Sequence, residues 1–147
     1  MSDSPEVVIR RYFDAWVNPK VEELRGFFAP DAVWVDGPQG VRHGAESIAA
    51  EITAQLTAVG GVTVDVVSLL SHGRTAMVEQ VSRSKVGDTP ISTVVMAVFE
   101  FDADGRITQW REAYDLKSIL DQVEAAVKTI HSGKPKSSTT PWSRPAV

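Results

Sequence analysis

The strongest constraint in this chain is a change of periodicity near Gly60-Gly61. Before it, apolar residues recur at helical spacing. After it, runs rich in β-branched residues follow one another at 62–70, 75–84, 91–101 and 107–114. His72-Gly73, Gly87-Asp88 and Asp102–Gly105 punctuate these runs as turns. In the first part, Ser4 caps a helix that opens on Pro5, and Val8, Ile9, Tyr12, Phe13 and Trp16 share one face, which predicts a helix over 5–17. Asn18-Pro19 breaks it. A second helix spans 21–28, with Glu22 and Glu23 in its first turn, and Pro30-Asp31 ends it. A short strand at 32–36 stops at Gly37-Pro38-Gln39-Gly40. A third helix covers 45–58, with Ile48, Ile52 and Leu56 on one side and Gly60-Gly61 as its stop. Residues 115–130 return to helical spacing through Leu116, Ile119, Leu120, Val123 and Val127. Helices first and consecutive strands later predict an α+β fold with a curved antiparallel sheet.

A chain of 147 residues with 43% hydrophobic and 23% charged side chains suits one domain with a real core. Composition also narrows the chemistry. There is no cysteine, so disulfides, thiolate catalysis and cysteine metal sites are excluded. His43, His72 and His131 share no ligand spacing, so no metal site and no cofactor are expected. No nucleophile elbow, P-loop or dinucleotide fingerprint occurs. From Ser132 the chain turns rich in Pro, Ser and Thr, which predicts a domain at 5–131 and a flexible C-terminal tail at 132–147. Three of the 15 cations and none of the 19 acids fall in that tail, leaving 12 against 19 and a net charge of −7 on the domain. An acidic body gives no footprint for nucleic acid or an anionic membrane. The N-terminus reads as neither a signal peptide nor an anchor, so the expected location is cytoplasmic.

A sheet curled round helices leaves a concave interior, and strand alternation lists what faces it. Trp34 inward carries Asp36 with it. Val78 inward carries Gln80, Ser82 and Ser84, and turns Met77, Glu79, Val81 and Arg83 outward; the opposite register would bury Met77 and Val81 instead. The inward set continues with Thr93, Val95, Ala97 and Phe99, then Trp110, Glu112 and Tyr114. In this register Asp36, Glu112, Gln80, Ser82 and the hydroxyl of Tyr12 converge on an otherwise apolar cavity. Apolar walls push carboxyl pKa values toward the range useful for proton transfer.

Four segments carry a family resemblance: YFDAW (12–16), FFAPDAVWVDGPQG (27–40), RHGAESIAAEI (42–52) and FEFDADGRITQWREAYDL (99–116). Over residues 5–128 the chain resembles the nuclear-transport-factor-2-like superfamily, in particular SnoaL-like cyclases, limonene-1,2-epoxide hydrolases and ketosteroid isomerases. The resemblance implies a cone-shaped sheet, three N-terminal helices enclosing a deep pocket, and a homodimer. In the epoxide hydrolases an Arg-x-Asp pair on one strand works with a further carboxylate. The pair falls on Gln80 and Ser82 here and the carboxylate on Glu112, while the water-holding aromatic hydroxyl and amide fall on Trp34 and Asp36. In the isomerases the general base falls on Asp36, the oxyanion tyrosine on Tyr12 and the second oxyanion acid on Ala97.

Together these readings give Asp36, Glu112 and Tyr12 as catalytic candidates. Trp34, Gln80, Ser82, Val95, Ala97, Phe99, Trp110 and Tyr114 are candidate contacts to a small hydrophobic molecule. Three functions stay open: an acid–base enzyme without cofactor that isomerises or cyclises its substrate, an epoxide-opening enzyme with a modified acid/base set, and a binding module for an apolar ligand. A filled cavity in a domain that only associates is the remaining alternative.

Overall fold

The computed structural model describes residues 3–132. Helix α1 spans Pro5–Asp14, with the Ser4 hydroxyl accepting the Val7 N–H at 3.4 Å, and buries Val8, Ile9, Tyr12 and Phe13. It ends before residue 17, and Ala15 to Asn18 continue as turn and bend. Helix α2 spans Val21–Arg25 rather than reaching 28. The reason is sheet pairing: the Phe27 carbonyl accepts the Ile107 N–H at 2.8 Å, so the chain is extended from there.

Strand β1 accordingly runs Phe28–Asp36, starting before the expected residue 32. Pro30 and Asp31 sit exposed inside it. They fall in an irregularity where the pairing advances from Phe28 to Val33 on β1 but only from Ile107 to Gln109 on its neighbour. Pro is tolerated there because a bulge needs no ladder donor. A turn at Gly37–Gln39 leads into a strand not expected from the sequence, β2 at Val41–His43, which pairs antiparallel with β1. Helix α3 covers Ala45–Ala58. The meander β3 (Thr63–His72), β4 (Thr75–Val86), β5 (Thr89–Phe101) and β6 (Ile107–Tyr114) follows, and helix α4 runs Leu116–Ser132. Ser132 closes α4; the rest of the expected tail lies outside the described residues.

The sheet is open, curved and six-stranded, in the order β2-β1-β6-β5-β4-β3. Every neighbouring pair is antiparallel except β1 and β6, which run parallel. Helices α1 and α3 pack against the sheet and share its core, and α4 contacts β5 and β4. The Gln122 side chain holds α4 in place by accepting the Ser92 N–H at 3.0 Å and donating to its carbonyl at 2.8 Å. The face of β4 turned to the core carries Val78 and Gln80; on the other side Met77 is 59% exposed, whereas Val81, turned the same way, is buried. No helix among the described residues is long and apolar enough to cross a membrane.

Gly61 joins α3 to β3 at a close approach. Its φ is +95°, and a Cβ there would lie 2.2 Å from the Val17 carbonyl oxygen. At Gly60, with φ +71°, a Cβ meets nothing within 4 Å. Both positions disfavour side chains, but only the first adds a backbone clash. Gly61→Ala is therefore expected to lose at least ~1 kcal/mol more stability than Gly60→Ala in urea unfolding. Equal losses would show that the junction does not hold α1 and β3 together.

Candidate functional site

The strand registers set the inner face of the sheet in rows. Trp34, Trp110, Phe99 and Ala76 form the first; Asp36, Glu112, Ala97 and Val78 the second. Tyr114, Val95 and Gln80 form the third, and Thr93 and Ser82 the fourth. Neighbouring strands lie about 4.8 Å apart. Asp36 and Glu112, direct partners across β1 and β6, therefore project side by side from the same face. The row beneath them is sealed: the Trp34 and Trp110 rings stack at 4.5 Å and 6°, and Tyr12 meets Trp110 edge-on at 5.3 Å.

Above that floor opens a cavity of about 330 Å³, at the small end of ligand sites. Trp16, Ile52, Leu56 and Val62 supply apolar wall from the helical side, and Trp34, Val95 and Ile91 from the sheet. Asp36, Glu112, Tyr114, Gln39, Gln55 and Glu51 bring polar groups to it.

Asp36 is 1% exposed, and each of its carboxyl oxygens accepts a hydrogen bond. The Tyr114 hydroxyl donates to Oδ1 at 2.8 Å, and Gln55 Nε2 donates to Oδ2 at 2.9 Å. Tyr114 in turn accepts from Gln39 Nε2 at 2.7 Å. Gln55 Nε2 also donates to Glu51 at 3.0 Å, and Glu51 pairs with Arg42 of β2 at 3.4 Å. Two hydrogen bonds donated by one nitrogen fix which end of the Gln55 amide faces Asp36. A carboxylate accepting on both oxygens retains lone pairs for a proton.

Glu112 is held differently. It accepts one hydrogen bond, from Trp34 Nε1 at 2.9 Å. Burial pushes its carboxyl up to about 8; the Trp34 N–H offsets part of the rise and the charge of Asp36 adds to it. At neutral pH Glu112 thus carries a proton beside an Asp36 that accepts from two donors. Burial also raises the Tyr114 phenol, which stays a hydrogen-bond donor. The arrangement can give a proton from Glu112 and take one at Asp36 within the same cavity. Among the described residues no group of His, Asp and Glu is placed to hold a metal ion.

Of the residues singled out from the sequence, Asp36, Glu112, Trp34, Ser82, Val95 and Tyr114 line the cavity. Tyr12, Gln80, Ala97, Phe99 and Trp110 do not. Tyr12, Phe99 and Trp110 belong to the packed aromatic layer under the floor. The Tyr12 hydroxyl is buried there without a hydrogen-bond partner among the described residues, and burial lifts its phenol well above the usual range. Ala97 is too short to reach past its row. Gln80 is fully buried and donates to Ser82 Oγ at 3.3 Å. Sequence reasoning missed Gln39, Glu51 and Gln55. The signal for the last two was a polar pair one turn apart on α3, flanking Ile52 on the apolar face.

The model of the SnoaL-like domain matches residues 9–110. Among solved structures, a Mycobacterium tuberculosis epoxide hydrolase described as LEH-like superposes with a TM-score of 0.71 at 19% identity, over 88% of this chain and 96% of that one. SalBIII, an epoxide hydrolase/cyclase-like enzyme of pyran ring formation in the polyether salinomycin, gives 0.68 at 18% identity, over 77% and 92%. A protein of ketosteroid-isomerase-like fold from Catenulispora acidiphila DSM 44928, in complex with trimethylamine, gives 0.71 at 24% identity, over 83% and 95%. These likenesses are of fold. The search of curated proteins returned no match.

The raised pKa of Glu112 links stability to pH. The protonated form is the one the folded chain favours, so its contribution is fully present below 4.5 and is lost as pH rises through about 8. Glu112→Gln stays neutral throughout. Urea unfolding is expected to show wild type losing stability across that window while the variant does not. A gap between the two that is independent of pH would mean that Glu112 titrates normally. Trp34→Phe, which removes the N–H bond, should move the Glu112 midpoint higher still.

Proposed function

Because the chain belongs to the SnoaL-like domain family and sets two carboxyl groups side by side in a cavity, we propose that it is an acid–base enzyme acting on a small, largely apolar substrate. The observation that supports this most is the contrast within the pair. Asp36 is surrounded by donors and serves as the proton acceptor. Glu112 holds its proton up to about pH 8 and serves as the donor.

In an isomerisation or cyclisation, Asp36 removes a proton next to a carbonyl. The Glu112 O–H hydrogen-bonds the developing oxyanion and hands over its proton as needed. The oxyanion role that sequence comparison put on Tyr12 passes to Glu112, because Tyr12 is no part of the cavity wall. Trp34 and Val95 supply apolar contact beside the carboxyl pair, and a low-polarity wall strengthens each electrostatic contact. Tyr114 and Gln55 keep Asp36 in place through their hydrogen bonds to its two carboxyl oxygens.

Epoxide opening is the second reading, favoured by the proton on Glu112. A neutral acid protonates the ring oxygen as the C–O bond breaks, while Asp36 takes the proton of the attacking water or hydroxyl. The Arg-x-Asp pair of the epoxide hydrolases is Gln80 and Ser82 here, so this chemistry would run on the Asp36–Glu112 pair alone.

Turnover of enolisable ketones and of epoxides by wild type, Asp36→Asn and Glu112→Gln tests both readings. Loss of a general acid or base costs on the order of 10²–10⁴ in rate, and each variant is expected to fall by that much. In wild type, kcat/KM should decline as pH rises through about 8, where Glu112 gives up its proton. Full activity in Asp36→Asn would remove it as base, and ligand binding without turnover of either class would mark a binding module.

A further inference from the structure

The reaction proposed above uses one end of the cavity, and hydroxyl groups line the other. Ser82 and Ser84 of β4 and Thr93 of β5 all lie on its wall. Ser82 and Thr93 are direct register partners, and Thr93 lies four residues along β5 from Ala97, the partner of Glu112. At roughly 3.3 Å per residue this separates the hydroxyl strip from the carboxyl pair by about 13 Å along the strand. Val95 stands between them.

The strip is chemically incomplete. Ser82 Oγ accepts from the Gln80 amide, which leaves its own O–H free to donate. Thr93 Oγ1 and Gln80 Oε1 are buried with no hydrogen-bond partner among the described residues. Buried hydroxyl and amide groups are normally paired, and an unpaired one destabilises the fold where valine of the same shape would not. On the same face of these strands valine is accommodated at Val78 and Val95. Charge adds a second restriction. Asp36 and Glu51 line the cavity beside the protonated Glu112, and no Lys, Arg or His does.

We infer that Ser82, Thr93 and Ser84 form a second binding subsite, which takes an uncharged oxygen group, a hydroxyl or a carbonyl, at the far end of an elongated substrate. Such a group accepts from the Ser82 hydroxyl and, once the Thr93 side chain turns to bring its buried Oγ1 to the wall, from Thr93 as well; an alcohol also supplies the donor they lack. An anionic terminus is disfavoured, since the cavity holds acids and no cation to meet it. The inference rests on the reading of Asp36 and Glu112 as the reacting end.

Binding of linear methyl ketones long enough to span ~13 Å tests it. The ketones come in matched sets ending in methyl, hydroxyl or carboxylate, and calorimetry reads their affinities. One hydrogen bond corresponds to roughly three- to tenfold in affinity, so the hydroxyl-ended ketone should bind tighter than the methyl-ended one by that factor, and the carboxylate-ended one weakest. Ser82→Ala/Thr93→Val should erase the hydroxyl preference without weakening the methyl-ended ketone. Thr93→Val alone should be at least as stable as wild type, which keeps misfolding out of the reading. Equal affinities in wild type, equal weakening of both ligands in the double variant, a preference for the carboxylate, or no binding by any member would each overturn the subsite. Turnover separates the two proposals. A hydroxyl preference without turnover sinks the reaction and keeps the subsite. Turnover without the preference does the reverse.

Discussion

The site depends on the parallel pairing of β1 with β6. That register stacks Trp34 on Trp110 and, one row further, sets Asp36 against Glu112. A stacked aromatic pair contributes ~0.5–1.5 kcal/mol beyond its buried area, and here it also fixes alignment. Slipping β1 by one residue would turn Asp36 to the outer face and bring Val35 into the cavity. The irregularity around Pro30-Asp31 absorbs the mismatch between the two strands before this point, so the rows from Trp34 up to Asp36 run in step. The hairpin to β2 then anchors β1 from the other side and delivers Arg42 to Glu51.

From that alignment the chemistry follows by environment. Two carboxyls on adjacent strands meet different surroundings. Asp36 finds two donors and Glu112 one, over an aromatic floor that water does not reach. The difference divides the pair into an acceptor and a proton carrier. Gln55 and Glu51 extend the support of Asp36 to a surface ion pair, so an error at Arg42 would be felt at the site only through the orientation of an amide.

Much of this was legible in the residues. The switch of periodicity marked α3 and the four-stranded meander, because each has a clean repeat and a Gly-containing stop. The face of β4 followed from alternation once Val78 was placed inward. Less could be read where pairing overrides local preference. Phe27-Phe28 continues a helical pattern, yet the bond from Ile107 draws it into the sheet. Strand β2, three residues long, has too little sequence to show a period. The parallel β1–β6 pair joins segments that are far apart in the chain, and no local pattern encodes it. For the same reason Tyr12 and Trp110, which alternation and helical phase put inside, could not be assigned to floor or cavity. That depends on where α1 lands on the sheet. Gln39, Glu51 and Gln55 enter the site from a turn and a helix flank that strand alternation does not list.

The division of the pair into acid and base depends on the proton carried by Glu112 beside Asp36. Infrared difference spectra of wild type against Glu112→Gln, taken across pH, observe that carboxyl directly. They should show it protonated at neutral pH with a midpoint near 8, falling when Asp36→Asn removes the neighbouring charge. A carboxylate at neutral pH with a midpoint near 4.5, unmoved by Asp36→Asn, would contradict the division of the pair into acid and base.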